Sequence, residues 1–500
     1  METTRRELLL AGSAAALGGG VLPARAGTPA TDDIHFLEIH EIARLLKVRS
    51  LSSVELTEYM LRRIERHDPG LRSYAFVTPD LALAQAREAD GLLRRGEILS
   101  PLHGVPVAVK DLFYTKDVRT AGGMTIHRDF VPRFDATAVR KLRAAGAVLL
   151  GKLQLTEGAF ADTSRLMPPP VNPWNADYWP GGSSSGSGVA TAAGLCFGSL
   201  GTDTGGSIRI PSAANGVTGL KPTWGRVSRR GVFELAASLD HVGPMCRSAA
   251  DAAIMLGAIA GPDADDPTAL QAAAPDYNAA SGHSLKGFRL GFNEHYAMDG
   301  VDAEVQRALA DTLRVTAALG ATIVPMRFPS VDATIADWRR ALAVEAAVAH
   351  EATFPSHRDD YGPAFAHLLD SGRATSAMDY QRILLRRQTF TGEVNAALEP
   401  VDAMLIPAQP AGPLSMARMA TLGQPGSKDG PVLVRFTAPF DMSGHPTLTL
   451  PAGFTDEGLP LAVQFIGKHL GEAAICHAGR AFQRVTGWHR RHPQLRESAT

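Results

Sequence analysis

Two segments rich in glycine and serine stand close together near the middle of the chain. The first is PGGSSSGSG at residues 180–188, and the second is DTGGSIR at residues 203–209. Between them, VATAAGL is typical of a short helix and CFGSLGTD of a strand. A helix of about ten residues rises ~15 Å, and a strand of about five residues returns a similar distance. Both segments are therefore predicted to end at the same edge of a sheet, where two serines could meet.

The rest of the chain alternates between strand-like and helical patterns. HGVPVAVKD is an apolar run that ends at Lys110, and DATAVRKLRAAGAVLLGK reads as helix, glycine stop and strand. HPTLTLPAGF and LPLAVQFIG are two late strand candidates, and further helices are predicted over 303–318 and 330–400. This alternation indicates an α/β fold with a largely buried sheet. PGGSSSGSG has the composition of a flexible linker, but no long linker separates two halves of the chain.

Composition excludes several classes of function. The formal net charge is -1, so neither a basic surface that recruits nucleic acid nor an acidic disordered chain is expected. Cys196, Cys246 and Cys476 lack the spacing of a disulfide framework or of a structural zinc site. We interpret the three thiols as small buried apolar side chains.

The N-terminus has the features of a twin-arginine export signal. Arg5 and Arg6 precede the apolar stretch 8–22, which is too short to span a bilayer, and Ala24-Arg25-Ala26 follows as a cleavage site. We therefore predict that residues 1–26 are a signal peptide and that 27–500 are the mature chain. The expected location is periplasmic or secreted, without a stable membrane anchor in the mature chain.

Ser207 is a candidate nucleophile because it follows two glycines. Gly205 and Gly206 can adopt positive φ, which lets successive backbone N–H groups converge on an anion. Such a concavity could hold the oxyanion of a tetrahedral intermediate beside an attacking hydroxyl. A tight turn in which Ser207 merely caps a helix fits this segment equally well.

Lys110 is the candidate general base, since none of the histidines lies in a recognisable triad context. To accept a proton at neutral pH, its pKa must fall from about 10.4 to roughly 7, which burial could cause. The apolar run from Val105 to Val109 makes burial plausible, and strand alternation points Asp111 to the opposite face. An ordinary lysine at the end of a surface strand is the alternative.

Another serine hydrolase motif overlaps the first segment. Residues 182–186 satisfy G-x-S-x-G, the nucleophile elbow in which Ser184 would attack. An elbow needs a strongly hydrophobic strand before it, whereas NADYWP precedes this one. The elbow also leaves DTGGSIR unexplained. Neither a Walker lysine nor an S-x-x-K motif is present.

Taken together, these runs resemble the amidase signature family of serine hydrolases. The matching runs are LHGVPVAVKD, NPWNADYWPGGSSSGSGVATAAGL, GTDTGGSIRIPSAANGVTGLKPTWGRVSRRG, SLDHVGPMCRSAADAA and HPTLTLPAGF with GLPLAVQFIG. They extend from about residue 37 to about residue 485. The resemblance implies a single large α/β domain, with a central, mostly parallel or mixed, twisted sheet covered by helices on both faces.

The resemblance also implies roles for individual residues. Ser207 would be the nucleophile, Ser183 the bridging serine and Lys110 the general base, with no metal and no cofactor. The Gly182–Ser183 peptide bond would be cis. The oxyanion hole would be formed by the N–H groups of Thr204, Gly205, Gly206 and Ser207, supported by Ser184, Asp203 and Arg209.

Two departures from the family pattern are Ser185, where a glycine is common, and His241, where a glutamine is frequent. Substrate selection is expected from residues 124–129, 160–180 and 330–400, where the resemblance is weakest. We expect a monomeric or homodimeric amidase of small amides, anilides or peptide amides. The alternatives are an amidotransferase-A-like protein that works with a partner, a serine esterase of broad range, or a binding protein without activity.

Overall fold

The structure is a computed structural model that describes residues 31–160, 163–279, 282–422 and 433–495. The predicted export signal at 1–26 lies outside the described residues. Residues from His35 onwards belong to one compact unit, and residues 31–34 before it begin a 3-10 helix (Thr31–Phe36).

A single mixed sheet runs through this unit. Its strands are β1 (Tyr74–Val77), β2 (Pro106–Lys110), β3 (Val148–Leu153), β4 (Gly198–Asp203), β5 (Thr218–Lys221), β6 (His241–Cys246), β7 (Arg289–Phe292), β8 (Thr322–Pro325), β9 (Ala403–Pro407), β10 (Thr447–Phe454) and β11 (Pro460–Gly467). In the described part of the chain, their order across the sheet is β1-β3-β2-β4-β6-β5-β10-β11-β9-β7-β8.

The direction of the strands changes across the sheet. Strand β2 is parallel to β3 and β4, and β7 is parallel to β8 and β9. The pairs from β4 through β6, β5, β10 and β11 to β9 are antiparallel, as is the edge pair β1–β3. The α/β class and the mixed sheet are confirmed, but the sheet is not mostly parallel, because its whole centre is antiparallel.

Helices flank this sheet. They are α1 (Ile39–Lys47), α2 (Ser53–Leu71), α3 (Pro79–Arg94), α4 (Thr137–Ala144), α5 (Ser185–Ala192), α6 (Arg209–Asn215), α7 (Ala249–Ile259), α8 (Glu294–Met298), α9 (Ala303–Ala318), α10 (Asp332–Ala349), α11 (Pro363–Ala374), α12 (Ala377–Leu398), α13 (Met416–Leu422), α14 (Ala438–Met442) and α15 (Glu472–Thr486). No helix among the described residues combines the length and the apolar composition that a membrane crossing requires.

Local sequence signals explain several of these boundaries. Helix α2 begins at a capping box, in which the Ser52 hydroxyl accepts from the Glu55 N–H and the Glu55 carboxylate accepts from the Ser52 N–H. Gly146 has φ +84° between α4 and β3, as the predicted glycine stop requires. The two late strand candidates are confirmed as β10 and β11, which pair antiparallel.

The parallel pairing of β2 with β4 creates the functional edge of the sheet. Val109 is opposite Leu200, so Lys110 and Asp203 end neighbouring strands on the same side. Helix α5 begins within the first glycine-serine segment, at Ser185, and leads back into β4, as the spacing predicts. Lys110 and the two glycine-serine segments are thus brought to the same edge of the sheet.

Candidate active site

Lys110 lies at the end of β2 and is completely buried. Its Nζ donates to Ser183 Oγ at 2.8 Å and to Thr202 Oγ1 at 2.8 Å. Burial lowers the pKa of Lys110 to about 7, and the more distant charges of Asp203 and Asp240 offset only part of that effect. The amine can therefore lose its proton near neutral pH.

The neighbouring Asp111 pairs with a different lysine. Its Oδ1 lies 3.4 Å from Lys152 Nζ, and both side chains are buried. Lys152 also donates to the Phe113 carbonyl and to Thr120 Oγ1, both at 2.6 Å. Asp111 therefore does not hold the Lys110 ammonium, as strand alternation predicts.

The first glycine-serine segment is a packed turn and not a linker. The Gly182–Ser183 peptide bond is cis. Gly181 has φ +76°, and a Cβ there would lie 2.4 Å from Pro211 Cα. A Cβ on Gly186 would lie 2.3 Å from the Ser73 carbonyl oxygen. Only glycine fits these close approaches, so the linker interpretation is wrong.

Ser183 and Ser184 have different surroundings. Ser183 Oγ accepts from Lys110, as described above. Ser184 Oγ donates to the Thr202 carbonyl at 3.2 Å, accepts from the Thr202 N–H at 3.3 Å, and is fully buried. Ser184 therefore joins the start of α5 to β4, which leaves its hydroxyl poorly placed to attack a substrate.

Ser207 follows the strand β4 and is half-buried. Its carbonyl accepts from the Ser184 N–H at 3.3 Å, which ties the two glycine-serine segments together. The Ser207 hydroxyl makes no hydrogen bond to any residue that the structure describes. It is thus the accessible hydroxyl of the three serines Ser183, Ser184 and Ser207.

The four predicted oxyanion donors are not equivalent. The Gly206 N–H donates to Asp203 Oδ1 at 2.6 Å and is therefore already engaged. For the N–H groups of Thr204, Gly205 and Ser207, no acceptor is found within the described ranges. Gly206 has φ +132°, a conformation that requires glycine. Three N–H groups remain able to bind an anion.

Asp203 and Arg209 stabilise the turn at 204–207. The Asp203 carboxylate accepts from the N–H of Ile208 at 3.0 Å and from Arg209 Nε and Nη2 at 2.9 and 2.8 Å. Arg209 Nη2 also donates to Asp441 Oδ2 at 2.6 Å, and all three charged groups are fully buried. The guanidinium holds the pKa of Asp203 well below its usual range, although burial alone would raise it.

His241 and Ser185, the two residues that differ from the family pattern, are both buried. His241 begins β6, and its Nδ1 lies 2.6 Å from the Leu239 carbonyl, which can only accept, so Nδ1 carries the proton. Its Nε2 has no partner among the described residues. Ser185 is the first residue of α5, and its hydroxyl is likewise buried without a partner in the described ranges.

Several residues of the site carry no signal in the sequence. Thr202 Oγ1 accepts a second hydrogen bond from Lys110 Nζ, and Asp240 Oδ1 accepts from Thr204 Oγ1 at 2.6 Å. Trp338 and Thr437 reach the oxyanion turn from more than a hundred residues away. A spacing rule within one segment cannot find such partners.

Two cavities and one cluster of possible metal ligands lie outside this site. Two cavities of about 330 and 240 Å³ are present, and neither is lined by Lys110, Ser183 or Ser207. Among the described residues, Glu38, His40 and Asp251 have ligand atoms close enough for a metal ion. Glu38 lies 3.4 Å from His40 Nδ1, within an ion-pair cluster.

Comparison with known proteins shows the family of the chain. The profile of the family described as Amidase matches residues 55–476. The chain belongs to the amidase signature family. It is an amidase-type hydrolase acting on C–N bonds.

Two relatives and one solved structure show how much of the chain the similarity covers. AmiD of Mycobacterium tuberculosis is 48% identical over 467 residues, covering 93% of this chain and 97% of AmiD. The A subunit of the glutamyl-tRNA(Gln) amidotransferase of Geobacter sp. is 37% identical over 487 residues, covering 91% and 99%. The structure of the peptide amidase of Stenotrophomonas maltophilia matches with a TM-score of 0.78 at 30% identity, covering 92% of this chain and 98% of that one.

Proposed function

We propose that this amidase cleaves the C–N bond of a small amide through an acyl-enzyme on Ser207. The observation that carries the proposal is the buried contact of Lys110 Nζ with Ser183 Oγ at 2.8 Å. A lysine whose pKa lies at about 7 can act as a base at neutral pH. The accessible Ser207 hydroxyl lies in the same turn as the N–H groups of Thr204 and Gly205, which have no acceptor in the described part of the chain.

The reaction proceeds in two halves. Ser207 Oγ attacks the amide carbonyl carbon while its proton passes through the Ser183 hydroxyl to neutral Lys110. The N–H groups of Thr204, Gly205 and Ser207 stabilise the oxyanion. The proton then returns to the leaving amine, the C–N bond breaks, and water hydrolyses the ester by the reverse relay. The relay needs a hydrogen bond from Ser207 to Ser183, and such bonds commonly tighten when substrate binds.

Primary amides, anilides and peptide amides are the proposed substrates, with esters as side substrates. The similarity to a peptide amidase supports this class. Export by the twin-arginine route, proposed from residues 1–26, would place the reaction in the periplasm or outside the cell. Monomer and homodimer are both compatible with a site built from one chain.

An amidotransferase-A-like role is the second candidate. The 37% identity to the A subunit of a glutamyl-tRNA(Gln) amidotransferase, over nearly the whole of both chains, favours it. A protein of that kind would work with a partner. We prefer the free-standing amidase because an exported chain would be separated from cytoplasmic tRNA. Stable co-purification with a second chain would favour the alternative.

The proposal is tested by labelling and by a substrate panel. A fluorophosphonate probe should label the purified protein, with the modification mapped to Ser207 and abolished in Ser207→Ala. Labelling of Ser184 instead would support the nucleophile elbow and contradict the proposal. Failure to label any serine would favour a binding protein. Hydrolysis is then measured on primary amides, anilides, peptide amides and esters, with Ser207→Ala as the control.

A further inference from the structure

We propose that Trp338 is a positioning residue for the oxyanion-binding turn at 204–207. The proposal rests on the proposed function, in which N–H groups of this turn stabilise the tetrahedral intermediate. Trp338 lies on α10, within the region 330–400 that resembles the family least. Through Trp338, helix α10 contributes to the chemistry as well as to the substrate selection expected of this region.

The indole of Trp338 fixes the orientation of one peptide group. Its Nε1 donates to the Thr204 carbonyl oxygen at 2.8 Å. The Thr204–Gly205 peptide bond is trans, so its C=O and N–H point in opposite directions. Because the carbonyl is held towards α10, the Gly205 N–H is turned away from α10. That N–H has no acceptor in the described ranges, so it is free to bind an oxyanion.

The same ring packs directly on Gly205. A Cβ at this position would lie 2.2 Å from Trp338 Cζ2, so the indole occupies the space that any other side chain would need. The tryptophan is half-buried. Trp338 and Gly205 are therefore matched to each other, and the contact resists rotation of the peptide group.

Other contacts hold the turn on its remaining sides. Thr204 Oγ1 donates to Asp240 Oδ1 at 2.6 Å, and Thr437 Oγ1 donates to the Gly205 carbonyl at 2.6 Å. The Gly206 N–H is bound by Asp203. These contacts fix the backbone on either side of the Gly205 N–H, and this N–H keeps the direction that the Trp338 bond to the Thr204 carbonyl gives its peptide group. Loss of the indole N–H would remove the constraint nearest to it.

Helix α10 is itself firmly docked, which makes it a suitable support. Asp337, beside Trp338, accepts from Arg386 of α12 through two bonds of 2.6 Å. Glu345 accepts from the N–H and the hydroxyl of Ser238 at 2.7 and 2.6 Å. Ser238 lies two residues before Asp240, so α10 and the Asp240 contact hold the same turn from two directions.

The test compares two aromatic residues whose side chains each donate to a backbone carbonyl. Trp338→Phe keeps an aromatic ring and removes the N–H. The control is Tyr74→Phe, which also keeps a ring and removes one donor, because the Tyr74 hydroxyl donates to the Leu195 carbonyl at 2.9 Å, outside the oxyanion turn and outside the ranges expected to select substrate. Each variant is assayed for kcat and KM on the best amide of the panel. Each is also titrated with an aryl trifluoromethyl ketone, which forms a tetrahedral oxyanion adduct.

We expect Trp338→Phe to lower kcat about tenfold, with KM within about twofold of wild type. Loss of a direct oxyanion donor costs about 10²–10³-fold in kcat, so a loosened donor should cost less. The Ki of the ketone should rise by the same factor as kcat/KM falls, because both depend on the oxyanion. Tyr74→Phe should leave kcat and Ki within about twofold of wild type.

Three results would overturn the inference. One is a Trp338→Phe enzyme with wild-type kcat and Ki. Another is a rise in KM alone, which would make Trp338 a substrate contact. The third is an equal loss in both variants, which would indicate general destabilisation. Wild-type protein that hydrolyses no amide and takes no label at Ser207 would instead refute the proposed function itself.

Discussion

Lys110 Nζ donates to Ser183 Oγ at 2.8 Å across 73 positions of sequence, and both side chains are buried. Among the described residues, no carboxylate lies within ion-pair distance of this ammonium. Its other hydrogen-bond partner is the hydroxyl of Thr202. Two neutral hydroxyls compensate a buried charge poorly, which is why the neutral amine is accessible at physiological pH.

The pH dependence of hydrolysis should report this amine. We expect kcat/KM to rise with pH around an apparent pKa of about 7, as Lys110 loses its proton. Thr202→Val removes a hydroxyl that accepts from the ammonium and so destabilises the charged form. The ascending limb should move to lower pH, by about one pH unit for one hydrogen bond to a charged group. A limb that stays in place or moves to higher pH would contradict this assignment.

Replacement of the lysine should separate activity from stability. Lys110→Met should lower kcat by at least about 10²-fold, because a general base contributes about 10²–10⁴-fold. The unfolded chain keeps its proton up to about pH 10.4, whereas the folded lysine loses it near 7. Wild type therefore gains stability as pH rises through that window. The Tm of Lys110→Met should exceed that of wild type below pH 7, with the difference shrinking towards pH 10.

The buried Arg209 should contribute strongly to stability. Arg209→Met leaves the buried carboxylate of Asp203 without its cation and the Asp441 carboxyl without its donor, and such a loss costs about 3–5 kcal/mol. Denaturant unfolding should show this decrease in the free energy of unfolding. Arg314→Met is the surface control, since Arg314 and Asp311 form an exposed pair at 3.3 Å that should contribute little. Equal effects of the two substitutions would contradict the role of Arg209.

The strands and the helix that form the catalytic edge of the sheet could be predicted from local sequence. An apolar run ending at Lys110 gives strand β2, and the pattern between the two glycine-serine segments gives α5 and β4, so the meeting of those two segments could be predicted. The contact of Lys110 with Ser183 was implied only by the family resemblance. The cis bond at Gly182–Ser183 follows only from the family resemblance, because composition does not distinguish a cis turn from a flexible one.

The centre of the sheet was not predictable in this way. Strand β6 contains Gly243 and Pro244, residues that argue against a central strand, yet both sit between β4 and β5. Strand β5 is four residues long and buried throughout, so it shows no alternation. Thr437 reaches Gly205 across 232 positions, a contact that only the tertiary fold creates.

His241 should make the protein sensitive to acid. Burial holds the pKa of His241 well below 6.5. Just below pH 6.5, the ring is therefore protonated in the unfolded chain but still neutral in the folded one. Stability is therefore lost as pH falls below about 6.5, by about 1.4 kcal/mol for each pH unit. His241→Gln should flatten the fall in Tm between pH 7 and pH 5. The same substitution at His283, which is exposed, should leave the slope unchanged. Parallel slopes for His241→Gln and wild type would contradict the prediction.

Close packing of the glycine-serine segment can be tested by adding one methyl group. A Cβ on Gly186 would lie 2.3 Å from the Ser73 carbonyl oxygen and 2.6 Å from the Gln154 backbone, and these atoms cannot yield as a flexible side chain would. We expect Gly186→Ala to lower the free energy of unfolding by about 1–3 kcal/mol, the usual effect of overpacking.

Gly392 provides the matched control, because it is also helical but has no atom within 4 Å of its hypothetical Cβ. Gly392→Ala should raise stability by up to about 1 kcal/mol through helix propensity alone. Both variants have the same change in chain entropy, so the difference in sign isolates the packing around Gly186. If Gly186→Ala were as stable as Gly392→Ala, residues 180–188 would be the loose segment that their composition suggests, and the fixed relay from Lys110 to Ser207 would lose its support.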